Sequence, residues 1–164
     1  MLNPTITLLE KQNIPNIVNI ARPIWHKHYD PIIGVQQVNY MLDKFQSERA
    51  IKSQLAEGYL YFQVSNLAEV VGYFSIQISD EVDLFISKFY LSEKTRGKGF
   101  GKAMLSFIEN FAKKNGCKQI KLTVNKYNPA YQIYLKLGFV KYDSAQFDIG
   151  GGYIMDDYLM SKAI

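Results

Sequence analysis

Residues 95–104 read TRGKGFGKAM, so that Arg96, Lys98 and Lys102 are threaded through Gly97, Gly99 and Gly101 at the head of an amphipathic run. Glycine reaches positive φ and lets a ligand approach the backbone, while the first turn of a helix presents unpaired N–H groups at the positive end of its dipole. Successive amides, with Phe100 between two of the glycines and cationic side chains around them, suit a phosphate or pyrophosphate. Two phosphate motifs are excluded by spacing. A Walker A loop needs glycine where Arg96 stands and Ser or Thr where Ala103 stands, and a dinucleotide fingerprint needs its third glycine at Lys102 or Met104.

Two other groups carry potential chemistry. Tyr134, in NPAYQIYLKLGF, is either a core tyrosine with a satisfied hydroxyl or a proton donor, and Asn128 of the same segment is placed to cap a helix ahead of Pro129. His26 and His28 stand at i, i+2 in WHKHY with no further ligand at a recognisable distance, so no metal site is expected there.

A strand must deliver the glycine-rich turn and a helix must receive it. VDLFISKFYLS, dense in β-branched and aromatic residues, supplies the strand, and Met104, Phe107, Ile108 and Phe111 supply the helical stripe, with Gly116 to end it. YLYFQVS and VVGYFSIQIS precede that strand and predict a three-stranded antiparallel meander with it. Upstream, TITLLE predicts a first strand, and Ile17, Ile20, Ala21 and Ile24 predict a helix behind Pro15. WHKHYDPIIG, with two prolines close by, reads as a loop. Val35, Val38, Leu42 and Phe45 predict a second helix, and SERAIKSQLAEG a third with a serine cap. After the basic turn and its helix, KQIKLTV predicts a strand, NPAYQIYLKLG a short helix, and FVKYDSAQF with GGYIMDDYLMSK a closing strand pair.

In combination, FISKFYLSEKT, RGKGFGKAML and NPAYQIYLKLGF resemble the GCN5-related N-acetyltransferase (GNAT) family, whose turn reads Arg/Gln-x-x-Gly-x-Gly/Ala; Arg96, Gly99 and Gly101 match it. The resemblance covers the chain from about Tyr59 to its end. It implies a mixed α/β fold in which a mostly antiparallel sheet splays into a V with helices on both faces. It also implies that acetyl-coenzyme A is held by Arg96, Gly97, Lys98, Gly99, Phe100, Gly101 and Lys102, with its pantetheine arm along Phe89, Tyr90 and Leu91 and against Asn128. The family's catalytic tyrosine falls on Tyr134. Attack on the thioester expels a thiolate, and a phenol near pKa 10 at hydrogen-bond range can stabilise or protonate that thiolate near 8.5, which suits it as general acid.

The resemblance also places an acceptor amine between the segment after the first helix and the bend between the last two strands. Those segments hold Trp25, His26, His28, Tyr29 and Asp30 on one side, and Phe147, Asp148, Tyr153 and Asp156 on the other. Aromatic walls with scattered carboxylates suit a cation, and the texture resembles the polyamine-acetylating branch of the family. Asp156 and Asp157 alternate faces, so at most one should reach the site. A strand glutamate that some members use as base is missing: the strand offers Phe85, Ser87 and Phe89, with Glu81 and Asp83 at its beginning. A water chain or a histidine is the alternative base. A cofactor sensor without turnover, or acetylation of a protein or peptide amine, is the rival within the fold.

Composition sets the outer bounds. The 164 residues are 48% hydrophobic, 14% aromatic and 21% charged, which fits one domain, residues 1–164, with a real core. The net charge of +4 suits an anionic ligand, but the lysines are dispersed and the aromatics alternate into strands, which argues against a nucleic-acid partner. Cys117 is the single cysteine, which excludes an internal disulfide and fits a reducing cytoplasm. No signal-peptide pattern or membrane-length apolar run is read, so a soluble cytoplasmic protein is expected. Family members often dimerise, and the last strand is expected to be exposed for it.

Overall fold

The computed structural model describes residues 3–79 and 82–164, so Glu81 lies outside the described residues. The chain runs β1 (Thr5–Leu8), a 3-10 turn (Lys11–Asn13), α1 (Ile14–Ile33), α2 (Val35–Gln46) and α3 (Glu48–Ala56). It continues with β2 (Leu60–Asn66), β3 (Glu69–Ser79), β4 (Asp83–Leu91), a second 3-10 turn (Glu93–Thr95) and α4 (Phe100–Lys114). β5 (Gln119–Asn125), α5 (Ala130–Lys136), β6 (Val140–Gly150) and β7 (Tyr153–Ala163) complete it. The seven strands form one sheet in the order β1-β2-β3-β4-β5-β7-β6, antiparallel everywhere except between β4 and β5. This is the expected mixed α/β architecture.

Strand alternation divides the core between two faces. Phe62, Val64, Phe74 and Ile76 point to the face covered by Phe100, Met104, Leu105 and Ile108 of α4. Tyr61 and Tyr73 point to the other face, under Ile17, Ala21, Trp25, Val38 and Ile51 of α1–α3. Ser47 caps α3 by accepting from the Ala50 N–H at 3.2 Å, and Lys113 and Lys114 lie in the last turn of α4, where the dipole favours cations.

Two expectations are corrected. WHKHYDPIIG is not a loop: α1 continues through it, with Pro23 and Pro31 inside the helix. Each proline removes one backbone donor, at a cost of roughly 3 kcal/mol in a helix interior. Ile14, Ile17, Ala21, Ile24 and Trp25 are buried along one stripe, and burial contributes roughly 1.5–3 kcal/mol for each large apolar side chain, which outweighs the lost bonds. The second correction concerns the last strand. β7 lies between β5 and β6, so β1 and β6 are the edges of the sheet.

Three irregularities shape the middle of the sheet. β4 and β5 pair only from Asp83↔Gln119 to Ile86↔Leu122, whereas β5 goes on pairing with β7 as far as Asn125↔Asp157. The second half of β4 therefore leaves its neighbour, and the sheet opens. A bulge lies at the same place: Ser75 pairs with Lys88 and Ile76 with Ile86, which leaves Ser87 as an extra residue in β4. The bulge shifts the side-chain alternation. Ile86 and Phe89 both pack on the α4 side, while Tyr90 packs against the α1–α3 side. Gly72, opposite Leu91, is the third: a Cβ there would lie 2.4 Å from the Tyr90 carbonyl oxygen.

Candidate active site

The opening between β4 and β5 is a cavity of about 700 Å³. At one end lies the basic turn. Gly97 and Gly99 have φ of +75° and +87°, left-handed backbone that glycine adopts without strain. Gly99 is the N-cap of α4, and no side chain caps the helix. The first intrahelical bond runs from the Ala103 N–H to the Gly99 oxygen at 3.1 Å, so the amides of Phe100, Gly101 and Lys102 precede it and remain available to an anion. Arg96, Gly97 and Gly101 line the cavity. Lys98 and Lys102 are exposed and stand outside the lining, and the Phe100 side chain is buried in the core, which leaves Phe100 only its backbone to offer a ligand.

The walls come from β4, β5, α1 and α5. Phe89, Tyr90 and Leu91 line the side from which β5 has parted. Tyr90 is fixed by its hydroxyl, 3.0 Å from that of Tyr29. Trp25 stands behind this pair, 5.2 Å from the Tyr90 ring, and its indole N–H donates to the Tyr73 hydroxyl at 2.9 Å. Opposite, Tyr134 of α5 meets Phe89 edge-on with ring centroids 6.3 Å apart, and meets Phe139 at 5.7 Å. Burial pushes the Tyr134 phenol well above its ordinary pKa, so it holds its proton throughout the neutral range.

Asn128 does two jobs at once. Its Oδ1 accepts from the Ala130 N–H at 2.9 Å, closing the turn into α5, and lies 2.9 Å from His28 Nε2. His28 lines the cavity; burial is the largest effect on it, with the charge of Arg96 acting the same way and the Asn128 bond opposing, and its pKa is lowered. His26 does not join it. His26 Nδ1 is 2.8 Å from Asp30 Oδ1, on the same helix and outside the cavity lining.

The acids named from sequence lie elsewhere. Asp148 accepts from the Gly150 N–H at 2.9 Å, Asp156 is 2.9 Å from Lys126 Nζ, and Asp83 is 2.8 Å from Lys121 Nζ. None of them lines the cavity, nor does Tyr153, which packs on Tyr40. The acid in the lining is Asp157. It is 1% exposed, and its Oδ1 has no hydrogen-bond partner among the described residues. Burial chiefly, then the neighbouring Asp156 charge, push its carboxyl up to about 6 against the pull of the Thr123 hydroxyl. Lys88 also lines the cavity, and no motif singled it out. The signal for Asp157 was the face alternation of Asp156 and Asp157; for Lys88 it would have required knowledge of the bulge.

Comparison with known families matches residues 30–153 to a family model described as an acetyltransferase (GNAT) domain. No curated protein matches the sequence. Among solved structures, the chain is similar to the PaiA N-acetyltransferase of Thermoplasma acidophilum in complex with coenzyme A, at 21% identity and TM-score 0.83, over 99% of this chain and 100% of that one. A GCN5-related N-acetyltransferase from Rhodopseudomonas palustris matches at 14% identity and TM-score 0.84, over 100% and 98%. The ribosomal-protein alanine N-acetyltransferase of Escherichia coli matches at 20% identity and TM-score 0.71, over 99% and 94%.

Proposed function

The chain belongs to the GNAT acetyltransferase family and is an acetyl-coenzyme A-dependent N-acetyltransferase, and from that premise we propose that it acetylates a primary amine with Tyr134 as general acid. The observation that carries the reading is the position of Tyr134: a protonated phenol in the wall of the cavity where β4 and β5 part, facing Phe89.

The residues present fit the cofactor. The uncapped head of α4, the left-handed Gly97 and Gly99 and the adjacent Arg96 would hold its pyrophosphate. The second half of β4, with Phe89, Tyr90 and Leu91, is unpaired on its β5 side and leaves backbone groups free there for an extended arm, and Asn128 lines the same cavity. The cofactor supplies the acetyl group as a thioester, so transfer to an amine forms a C–N bond and breaks a C–S bond.

The chain's own residues then manage protons. Tyr134 would hydrogen-bond the sulfur through its phenolic proton as the C–S bond breaks and so stabilise the thiolate, and any proton it passes on is replaced by the one that the amine nitrogen loses. Asp157, ionised above about pH 6, attracts the incoming ammonium and takes up its proton. The polyamine expectation draws no support from the lining: Asp30, Asp148 and Asp156 are engaged elsewhere, and Lys88 lines the cavity. Coenzyme A release should be measured with a panel of primary amines, alongside calorimetry of acetyl-coenzyme A binding. Turnover on an amine that collapses in Tyr134→Phe supports the assignment, and full turnover in that variant overturns it.

A further inference from the structure

We propose that the acceptor is a zwitterionic amine with an apolar body, a small amino-acid-like molecule whose ammonium meets Asp157 and whose carboxylate meets Lys88. This rests on the transferase reading above and names its acceptor class.

The first observation is the set of partly buried lysines in the described residues: Lys88, Lys121, Lys126 and Lys162. Lys121 is 2.8 Å from Asp83, Lys126 is 2.9 Å from Asp156 and Lys162 is 2.5 Å from Glu109. Lys88 forms no such ion pair among the described residues. Its Nζ donates to Ser87 Oγ at 2.8 Å and lies 5.9 Å from the Phe45 ring centroid. The β4 bulge produces this placement, because an extra residue at Ser87 puts Lys88 and Tyr90 on the α1–α3 side. Burial alone pushes the Lys88 ammonium down to about 8.

The second observation is the matching anion. Asp157 lines the same cavity, is buried, and keeps one oxygen without a partner. Asp157 and Lys88 form no ion pair with each other among the described residues. A cation and an anion held in one enclosure, each without a counterion, bear an uncompensated desolvation cost that a ligand carrying both charges removes. The same cavity has apolar lining as well, with Ile33, Met41, Phe45, Phe147, Ile149 and Met155 among its residues.

Other acceptors match less of this. A polyamine brings further positive charge against Lys88, and like charge in an apolar enclosure is rejected. A hydrophobic monoamine fills the walls but leaves Lys88 unmatched. A peptide N-terminus has an amide where an amino acid has its α-carboxylate, and leaves Lys88 unmatched unless its side chain supplies an anion.

The test compares leucine and phenylalanine with leucinamide, phenylalaninamide and spermidine, in the wild type, Lys88→Met and Lys88→Arg, with acetyl-coenzyme A affinity measured by calorimetry. In the wild type, kcat/KM for the amino acids should exceed that for the amides by about tenfold or more, the scale of a charge-assisted hydrogen bond. Lys88→Met should abolish that preference while leaving acetyl-coenzyme A affinity within about twofold, and Lys88→Arg should restore part of it. Equal or better turnover of the amides or spermidine overturns the acceptor class and leaves the transferase intact. A Lys88→Met variant that loses acetyl-coenzyme A affinity assigns the lysine to the cofactor and overturns the proposal. Cofactor binding with no turnover of any amine overturns both readings.

Discussion

His28 Nε2 lies 2.9 Å from Asn128 Oδ1, which joins α1 to the turn entering α5 in the lining of the cavity. A carboxamide oxygen only accepts, so Nε2–H is the donor and Nδ1 of the neutral ring keeps its lone pair. Burial, seconded by Arg96, holds the ring neutral by lowering its pKa. Asn128→Asp should keep the cap on Ala130 but place an anion beside the ring, raising the His28 pKa in an NMR titration of its Cε1 proton. Asn128→Ala should instead lose the cap, at about 1 kcal/mol of stability. A His28 pKa that does not rise in the Asp variant contradicts this geometry.

Tyr134→Phe removes one hydroxyl and keeps the ring that packs on Phe89 and Phe139. Turnover should fall by about 10²–10⁴, the usual contribution of a positioned acid, with acetyl-coenzyme A affinity little changed. Steady-state kinetics and calorimetry separate the two. Equal loss of both would make Tyr134 a binding residue.

Much of this site was legible because its parts are local. The basic turn, the helix behind it and the Asn128–Tyr134 segment each show their chemistry within a dozen residues. What escaped depends on long-range pairing. The helix through Pro23 and Pro31 persists because its apolar stripe meets Tyr61 and Tyr73, and local proline signals do not report that packing. Lys88 enters the cavity because Ser87 is extruded where β4 pairs with β3, and strict alternation read along one strand cannot show an extra residue. Asp148 and Asp156 looked like acceptor ligands by type and neighbourhood. Their engagement by Gly150 and Lys126 is a property of the folded sheet.

Gly99→Val places a β-branched residue at φ +87°, where it costs roughly 1–2 kcal/mol in the backbone alone. Because nothing lies within 4 Å of the added Cβ, the strain should be relieved by reshaping the turn rather than by unfolding the core. Acetyl-coenzyme A affinity should fall more than tenfold with only a few degrees lost in Tm. Unchanged affinity would remove the turn from the cofactor site.

Gly72→Ala tests the sheet beneath the cavity. Its Cβ would stand 2.4 Å from the Tyr90 backbone oxygen and 2.7 Å from Leu91 Cδ2, and the backbone contact cannot be relieved by a rotamer change. The end of β4 must therefore move away from β3, which should cost roughly 1–3 kcal/mol and weaken cofactor binding as well. Urea unfolding with parallel calorimetry reads both effects, and full wild-type stability would refute the close approach.

Asp157 links the proposed chemistry to stability. Its folded pKa is raised from 3.8 to about 6, so the native state holds this proton more tightly than the unfolded chain does. The contribution is fully present below pH 4 and is lost as pH rises through 6, leaving the ionised carboxylate to cost on the order of 3 kcal/mol at neutral pH. Asp157→Asn cannot ionise. Its Tm should exceed that of the wild type at pH 7.5, with the gain vanishing near pH 4. The same variant should lose at least tenfold in kcat/KM for the amine, together with the acidic limb of the pH profile near 6. A variant that is both more stable and fully active would show that the buried carboxylate takes no part in transfer. One that is less stable at pH 7.5 would show that the ionised form is satisfied in the fold.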